Sequence, residues 1–430
     1  MEPVIGSMAK IELLVPAGNR EKLEVAVAYG ADAVYFGSPF FSLRRRAGGF
    51  SLAETADAIG FCHVRGVKAY LTVNFLPSNS DFKNLAVYLD GLRSCPPDAL
   101  IVGDPGVLFL CREKLPGVPL HLSTQANTVN YLSAAFWRKN GVSRVNLARE
   151  LSLDEIAAVV AEVHGLECEV FVHGAMCMAY SGRCLLSSVL TGRHANRGDC
   201  AQPCRWKYFI QEEKRPGELM PLEEDQRGTY LFNARDLCLI ARLPELQAAG
   251  VHSLKIEGRM KSAYYVAAVT RVYRQALDYL KAFPGRSFPA DQLEVWKNEL
   301  TRVSHRRYSE GFIDADRNRL LTLQYLSDSA YLRSYRFCAL VIELIDYDAA
   351  ADSSWVRLSI KDRLRCGESF EVLAPKMDIF SVMVLELRNE CGEVLAEVHS
   401  GTTASARCRG RLAPLQILRQ TTTPEPLVRA

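Results

Sequence analysis

The chain has 430 residues, of which 48% are hydrophobic and 23% charged, and a formal net charge of +3. That length exceeds one ordinary core and predicts two or three domains, while the composition excludes a disordered or fibrous chain. The small net charge excludes any argument for nucleic-acid binding from charge alone, so local distribution has to carry it.

No run approaches eighteen consecutive apolar residues, so no transmembrane helix is expected. The opening "MEPVIGSMAKIELLVPAGN" lacks a basic stretch followed by an apolar one. No secretory leader is expected, and the compartment is read as cytoplasmic and reducing. Thirteen cysteines are then not expected to pair as disulfides, and clustered ones point to metal or redox chemistry. Scattered ones such as Cys62, Cys111, Cys238 and Cys338 read as small core residues.

After an N-terminal extension at 1–10, short apolar runs alternate with segments of helical period. Strands are predicted at Ile11–Val15, Ala33–Phe36, Lys68–Val73, Ala99–Val102, Leu120–Ser123, Arg144–Leu147, Cys168–Val172 and Ser253–Ile256. Helices are predicted at Arg20–Tyr29, Leu52–Arg65, Phe82–Arg93, Val107–Lys114, Val129–Lys139, Leu153–Val163 and Ser262–Lys281. Ser152 with Glu155 forms a capping-box pattern. Eight strand–helix units are the arithmetic of an α/β fold of the (β/α)8, TIM-barrel type over 11–285. A doubly wound open sheet fits the same count but wants a glycine-rich loop after its first strand, where "VPAGNR" offers only Gly18.

The seventh unit is overlong and holds an insertion at 174–235 that begins where its strand ends. In such a barrel this is the face where chemistry occurs. A helical linker is expected at 286–336. From Phe337 the sequence alternates with period two, in "RFCALVIELID", "WVRLSIKD" and "FSVMVLELRN". This predicts a small antiparallel β-barrel at 337–420, followed by a polar tail at 421–430.

The insertion carries Cys177, Cys184, Cys200 and Cys204. Soft thiolates select zinc or iron–sulfur clusters. Only Cys200 and Cys204 have the close spacing of a zinc knuckle. Four cysteines on irregular loops suit a [4Fe–4S] cluster, with zinc or no metal as the alternatives. Arg193, Arg197, Arg205 and Lys207 lie among them, beside Trp206 and Tyr208. Cations interleaved with aromatics suit single-stranded RNA, or else balance a cluster's charge or face solvent.

Polar residues recur at the predicted strand ends: Asn74, Asp104, Gln125, Asn127, Arg149, Glu150, His173, Glu257, Arg259 and Lys261. Their convergence at a barrel mouth predicts a pocket, with Gln125, Arg149, His173, Glu257 and Arg259 as candidate catalytic residues. There is no H-E-x-x-H, G-x-S-x-G or P-loop pattern. A cysteine nucleophile with His173 as base does not explain four clustered thiols.

The stretch "EVFVHGAMCMAYSGRCLLSS" closely resembles the signature of peptidase family U32, the collagenase-like peptidases. "ELLVPAGN", "GADAVYFG", "DALIVGDPG", "HLSTQANT", "LARELSL" and "HSLKIEGRMKS" resemble further segments of that family, in order. The length and the barrel-plus-tail arrangement look most like its tRNA-hydroxylating members. That resemblance implies oxygen-independent formation of 5-hydroxyuridine at the tRNA wobble position, with prephenate as the hydroxyl donor. It also implies a [4Fe–4S] cluster on Cys177, Cys184, Cys200 and Cys204. The tRNA anticodon loop would present a splayed uridine at the mouth beside a small anionic donor, with Arg193, Arg197, Arg205 and Lys207 on phosphates. Hydroxylation of ribosomal RNA cytidine or the ubiquinone ring, peptidase activity, and a non-catalytic RNA-binding partner are the competing expectations.

Overall fold

The computed structural model describes residues 10–43, 48–176, 186–195, 198–203, 206, 210–211, 219–220, 224–225, 228–229, 235–314 and 331–422. Seven parallel strands run in chain order: β1 (Glu12–Pro16), β2 (Ala33–Gly37), β3 (Lys68–Val73), β4 (Ala99–Val102), β5 (Leu120–Leu122), β6 (Arg144–Asn146) and β7 (Glu167–Ala175). β8 (Asp236–Cys238) lies outside this ring. β9 (Ser253–Ile256) pairs in parallel with both β7 and β1 and closes an eight-stranded barrel. The expected (β/α)8 architecture is therefore the observed one.

Helices α1 (Arg20–Ala28), α2 (Leu52–His63), α3 (Asp81–Gly91), α4 (Pro105–Lys114), α5 (Tyr131–Lys139) and α6 (Leu153–Glu162) each follow a strand. Their starts are set by side-chain caps that satisfy amide groups the first turn leaves open. Asn19 accepts from Lys22 N, and Asp104 accepts from Gly106 N and Val107 N. Ser51 and Ser152 form full capping boxes with Glu54 and Glu155. Strand residues alternate between two environments. Leu13, Val15, Val34, Phe36, Leu71, Leu100, Val145 and Leu254 face the helices in the main core. Leu14, Ala33, Tyr35, Tyr70, Ala99 and Ile101 form a separate cluster inside the ring. Burying both faces explains why these strands read as apolar runs.

Beyond the barrel floor the interior is charged. Glu12, Arg144, Glu169 and Lys255 are all buried. Arg144 Nη1 donates to Glu12 Oε1 at 2.5 Å and to Glu169 at 3.5 Å, and Lys255 Nζ lies 2.7 Å from Glu169 Oε1. Two carboxylates meet two cations, so the set is neutral. Burial pushes the Glu12 carboxyl up, and the hydrogen bond and charge of Arg144 outweigh it and hold the carboxyl below its ordinary value.

β7 is the longest barrel strand, and its last residues leave the ring. β8 runs antiparallel to them, setting Asp236 opposite Ala175, Leu237 opposite Gly174 and Cys238 opposite His173. The chain therefore departs at Met176 and returns at Arg235 through a closed neck. β10 (Tyr308–Ser309) adds in parallel to β8. α7 (Leu186–Thr191) lies between β7 and β8, and α8 (Leu243–Ala248), the twenty-residue α9 (Ala263–Ala282) and α10 (Ala290–Leu300) lie between β8 and β10.

The C-terminal unit consists of β11 (Tyr335–Asp348), β12 (Ser353–Ile360), β13 (Ser369–Leu373), β14 (Phe380–Arg388), β15 (Thr403–Arg409) and β16 (Ile417–Thr421). They pair antiparallel in the order β13-β16-β11-β12-β15-β14, and β13 also pairs with β14, closing a small barrel around its own core. It docks on α1, α9 and α10. Tyr29 OH donates to the carbonyls of Leu373 and Leu415, and the fully buried Arg419 meets Glu299, Glu371 and Tyr264 OH. Among the described residues no helix is long and apolar enough to cross a membrane.

Candidate active site at the barrel mouth

The C-terminal ends of the strands converge on a narrow cleft, about 50 Å3 in volume, that is open to solvent. The inward phase of each strand supplies its lining. On β9 and its continuation, Ser253, Lys255, Glu257 and Arg259 recur every second residue, as a strand's single face requires. Ser253 joins the charged interior, whereas Lys255, Glu257 and Arg259 reach the cleft. β3 supplies Thr72 and Asn74, β4 supplies Ile101, and the turn after β5 supplies Ser123, Thr124 and Gln125. Asn146, Arg149, Phe171 and Tyr35 complete the wall.

Lys255 forms the floor. Its ammonium is held by Glu169 and lies 4.6 Å from the centre of the Tyr35 ring. Asn146 Nδ2 donates to the same Glu169 oxygen at 2.8 Å. Arg259 is buried, and its Nη1 hydrogen-bonds Ser42 Oγ and Thr72 Oγ1. Arg149 lies over the Phe171 ring at 4.5 Å and donates to the carbonyl of Ala175 at 2.5 Å. Three cations thus meet one carboxylate, Glu257, at the cleft. Such a lining favours a small anion set among polar groups that fix its orientation. Gln125 Nε2 is buried with no hydrogen-bond partner among the described residues, while its Oε1 accepts from Ser123 Oγ. A buried amide donor left open carries a free-energy cost that a ligand acceptor would offset.

Gln125, Arg149, Glu257 and Arg259 therefore lie together. His173 does not line the cleft, and the expectation that it would is corrected here. Simple alternation from Glu169 through Phe171 would turn it inward. The β7–β9 register shifts between Lys255 and Ile256, so that Ile256 pairs with His173 and not with Val172. The phase flips, and His173 enters a cage of Tyr265, Tyr273 and Tyr308, with ring centres 5.1–5.9 Å away. Burial lowers its pKa to about 3, so it is a neutral ring near pH 7. Asp104 caps α4, and Lys261 Nζ donates to the Ser304 carbonyl.

The neck of the cysteine segment is fastened to the rim of the cleft. Arg149 holds Ala175, and Glu257 N donates to the His173 carbonyl at 2.8 Å. Gly174 has φ +113, and a Cβ there would stand 2.5 Å from the Glu257 carbonyl oxygen. Only glycine permits this approach.

Of the four candidate ligands, Cys177, Cys184 and Cys204 lie outside the described residues, as do Arg197, Arg205 and Lys207. Cys200 is half-buried, and its sulfur accepts from Gln202 N at 3.3 Å. An amide donor on a cysteine sulfur is the kind of contact that tunes iron–sulfur centres, so this turn fits the proposed cluster. Arg193 donates to Asp199 and to the Cys200 carbonyl, both at 3.1 Å. Its guanidinium braces the cysteine turn and is not a bare charge waiting for phosphate. Alternation along β9 and β6 was the available signal for Lys255 and Asn146. Both sit within predicted strands, not at their ends.

The model of peptidase family U32 matches residues 18–322. The tRNA hydroxylation protein P of Escherichia coli K12 is 37% identical, over 90% of this chain and 91% of its own length. The 23S rRNA 5-hydroxycytidine C2501 synthase of the same organism is 39% identical, over 63% of this chain and 40% of its own. A protein named collagenase from Porphyromonas gingivalis W83 is 32% identical, over 75% of this chain and 78% of its own. With the family model covering most of the chain and full-length similarity beside it, this protein belongs to peptidase family U32.

Proposed function

We propose that this chain hydroxylates RNA at carbon five of a pyrimidine, with the tRNA wobble uridine as substrate. The observation that carries this reading is the three-cation cleft with the neck of the cysteine segment fastened to its rim. Relatives named for tRNA hydroxylation and for ribosomal 5-hydroxycytidine synthesis support RNA as the substrate class.

In this reading Arg149, Lys255 and Arg259 bind the carboxylates of a small anionic donor, prephenate. The open Nε2–H of Gln125 donates to a carbonyl oxygen of the splayed base, and Phe171 and Tyr35 supply apolar wall. The exchange balances as base C–H plus donor C–OH giving base C–OH plus donor C–H, so the donor is reduced as the base is oxidised. No molecular oxygen is required. Cys177, Cys184, Cys200 and Cys204 hold a [4Fe–4S] cluster, with Arg193 bracing the Cys200 turn. Such a cluster supplies one-electron or Lewis-acid chemistry when bound. Arg197, Arg205 and Lys207 meet phosphates of the anticodon loop.

Proteolysis has less support. Among the described residues no histidine lines the cleft, and His173 is walled in by tyrosines. The test is anaerobic incubation of reconstituted protein with unmodified tRNA and prephenate, followed by nucleoside mass spectrometry. Appearance of 5-hydroxyuridine is expected. Its absence from a preparation holding about four iron per chain would refute the reading. Cleavage of denatured collagen by iron-free protein would favour the peptidase.

A further inference from the structure

A second cavity, of about 900 Å3, opens between the main unit and the small one. Lys10 precedes β1 and Asp32 precedes β2, so it lies at the end of the barrel where the strands begin, away from the mouth. Gln247 of α8 and the second half of α9, from Arg271 to Lys281, form its wall on the main unit. Lys376, which follows β13, closes it from the small barrel. None of these residues lines the cleft at the mouth.

Some of the charges in this cavity are already spent. Gly30 has φ +108, and a Cβ there would stand 2.6 Å from Arg274 Cγ, so glycine lets Arg274 cross the end of α1. Arg274 Nη1 then reaches Asp32 at 2.9 Å, and its Nε lies 2.9 Å from Asp278. Lys10 Nζ takes the other Asp32 oxygen at 2.6 Å. Those four groups cancel. Lys281 stands in the last turn of α9, where a cation complements the carbonyl end of the helix. Arg271 and Lys376 remain, with Asp378 as the carboxylate near them. The five cations Lys10, Arg271, Arg274, Lys281 and Lys376 thus meet three carboxylates, Asp32, Asp278 and Asp378, an excess of two positive charges.

Arg271 is the uncompensated member. It is only 7% exposed. Among the described residues its guanidinium makes one hydrogen bond, from Nη2 to the Met377 carbonyl at 3.0 Å, and its Nε makes none. Glu299 and Asp378 act on it only through space, and Glu299 is bonded to Arg419. Burial lowers the pKa of Arg271 below its ordinary value. The other buried guanidinium groups of Arg144, Arg306 and Arg419 each bond a carboxylate. A buried cation without one carries a free-energy cost that an entering anion would offset.

The remaining wall is mixed. Leu277, Leu280, Pro284 and Pro375 supply apolar surface. Gln275 accepts from Trp296 Nε1 through its Oε1, which leaves its Nε2 as a donor at the wall. Unspent cations, an amide donor and apolar surface in one cavity suit an organic anion. An excess of two charges matches a phosphate monoester, which carries about −1.5 to −2 near pH 7.

We propose that this cavity between the two barrels binds an organic phosphate monoester of mononucleotide size. Arg271 and Lys376 hold the phosphate, and Leu277, Leu280 and Pro375 pack against the organic part. Arg271 belongs to α9 and Lys376 to the small barrel, so the ligand ties the two units together. The site is separate from the cleft and stands whether or not RNA is hydroxylated there.

The test is calorimetric titration of the full-length protein with the ribonucleoside 5′-monophosphates, each compared with its phosphate-free nucleoside. The chains compared are the unaltered one, Arg271→Gln, Lys376→Gln, and Arg259→Gln in the cleft. The unaltered chain and Arg259→Gln should bind a monophosphate alike, and the nucleoside roughly tenfold or more weakly. Arg271→Gln and Lys376→Gln should each lose roughly tenfold in affinity for the monophosphate. Lys376 is exposed, so its variant tests the site even where Arg271→Gln fails to fold. Affinity lost in Arg259→Gln and kept in Lys376→Gln would put the phosphate in the cleft and overturn the proposal. It would equally be overturned by equal affinity for nucleoside and monophosphate, or by no binding of any monophosphate to the unaltered chain.

Discussion

Lys255 has two partners to satisfy, Glu169 beneath it and whatever enters the cleft above. Replacing it by Met removes the nearer of the two cations on the buried Glu169 carboxylate and leaves only Arg144 at 3.5 Å, which costs up to about 3–5 kcal/mol in comparable sites. The expected result is a matching drop in the urea midpoint together with loss of donor binding. Arg259→Gln should lose donor binding. His173 makes a different prediction. Its folded-state pKa of about 3 lies below the ordinary 6.5, so between those values the unfolded chain takes up a proton that the folded chain refuses. Stability is therefore full above about pH 6.5 and falls as pH drops toward 3. Urea unfolding at about pH 7 and pH 5 should show a larger loss for the unaltered chain than for His173→Gln. Equal losses would contradict the enclosed neutral ring. Gln125, Arg149, Glu257 and Arg259 were legible as polar residues at strand ends. Lys255 and Asn146 were less legible, because they sit within apolar strands and only alternation along β9 and β6 marks the face they take. His173 was misplaced because a register shift between two strands is a tertiary event.

The neck formed by β7 and β8 ties the two ends of the cysteine segment to the rim of the cleft. Gly174→Ala would force a Cβ into the Glu257 carbonyl at a positive φ, a strain of order 1–3 kcal/mol. The expected outcome is a shifted neck, read as lowered iron retention, with the far barrel strands unaffected in hydrogen exchange. Unchanged iron content would show that the neck tolerates the displacement. Arg193→Gln should act in the same direction, because it frees the Cys200 carbonyl and Asp199. The barrel strands and helices were readable from periodicity and caps, as at Ser152 with Glu155. β8 and β10 were not. They are three and two residues long, and only the preceding overhang of β7 makes them strands.

At the scale of the whole molecule, two barrels share one buried junction around Arg419. Its guanidinium meets Glu299 from the main unit and Glu371 from the small one. Arg419→Met should uncouple them, splitting one thermal transition into two, whereas a single transition would mean the apolar contacts of Leu340, Leu373 and Ile417 suffice. The break in period near Phe337 made the second barrel legible, but nothing local to the sequence tells which of its sides docks. Hydroxylation of RNA at the cleft is the premise of every role proposed for the residues that line it. The most direct measurement is nucleoside mass spectrometry of tRNA from cells lacking this gene and grown without oxygen, complemented with the unaltered chain or with Arg259→Gln. The expected result is that 5-hydroxyuridine and nucleosides built on it vanish, return with the unaltered chain and stay absent with the variant. Undiminished 5-hydroxyuridine in the deletion strain, or full restoration by Arg259→Gln, would contradict it.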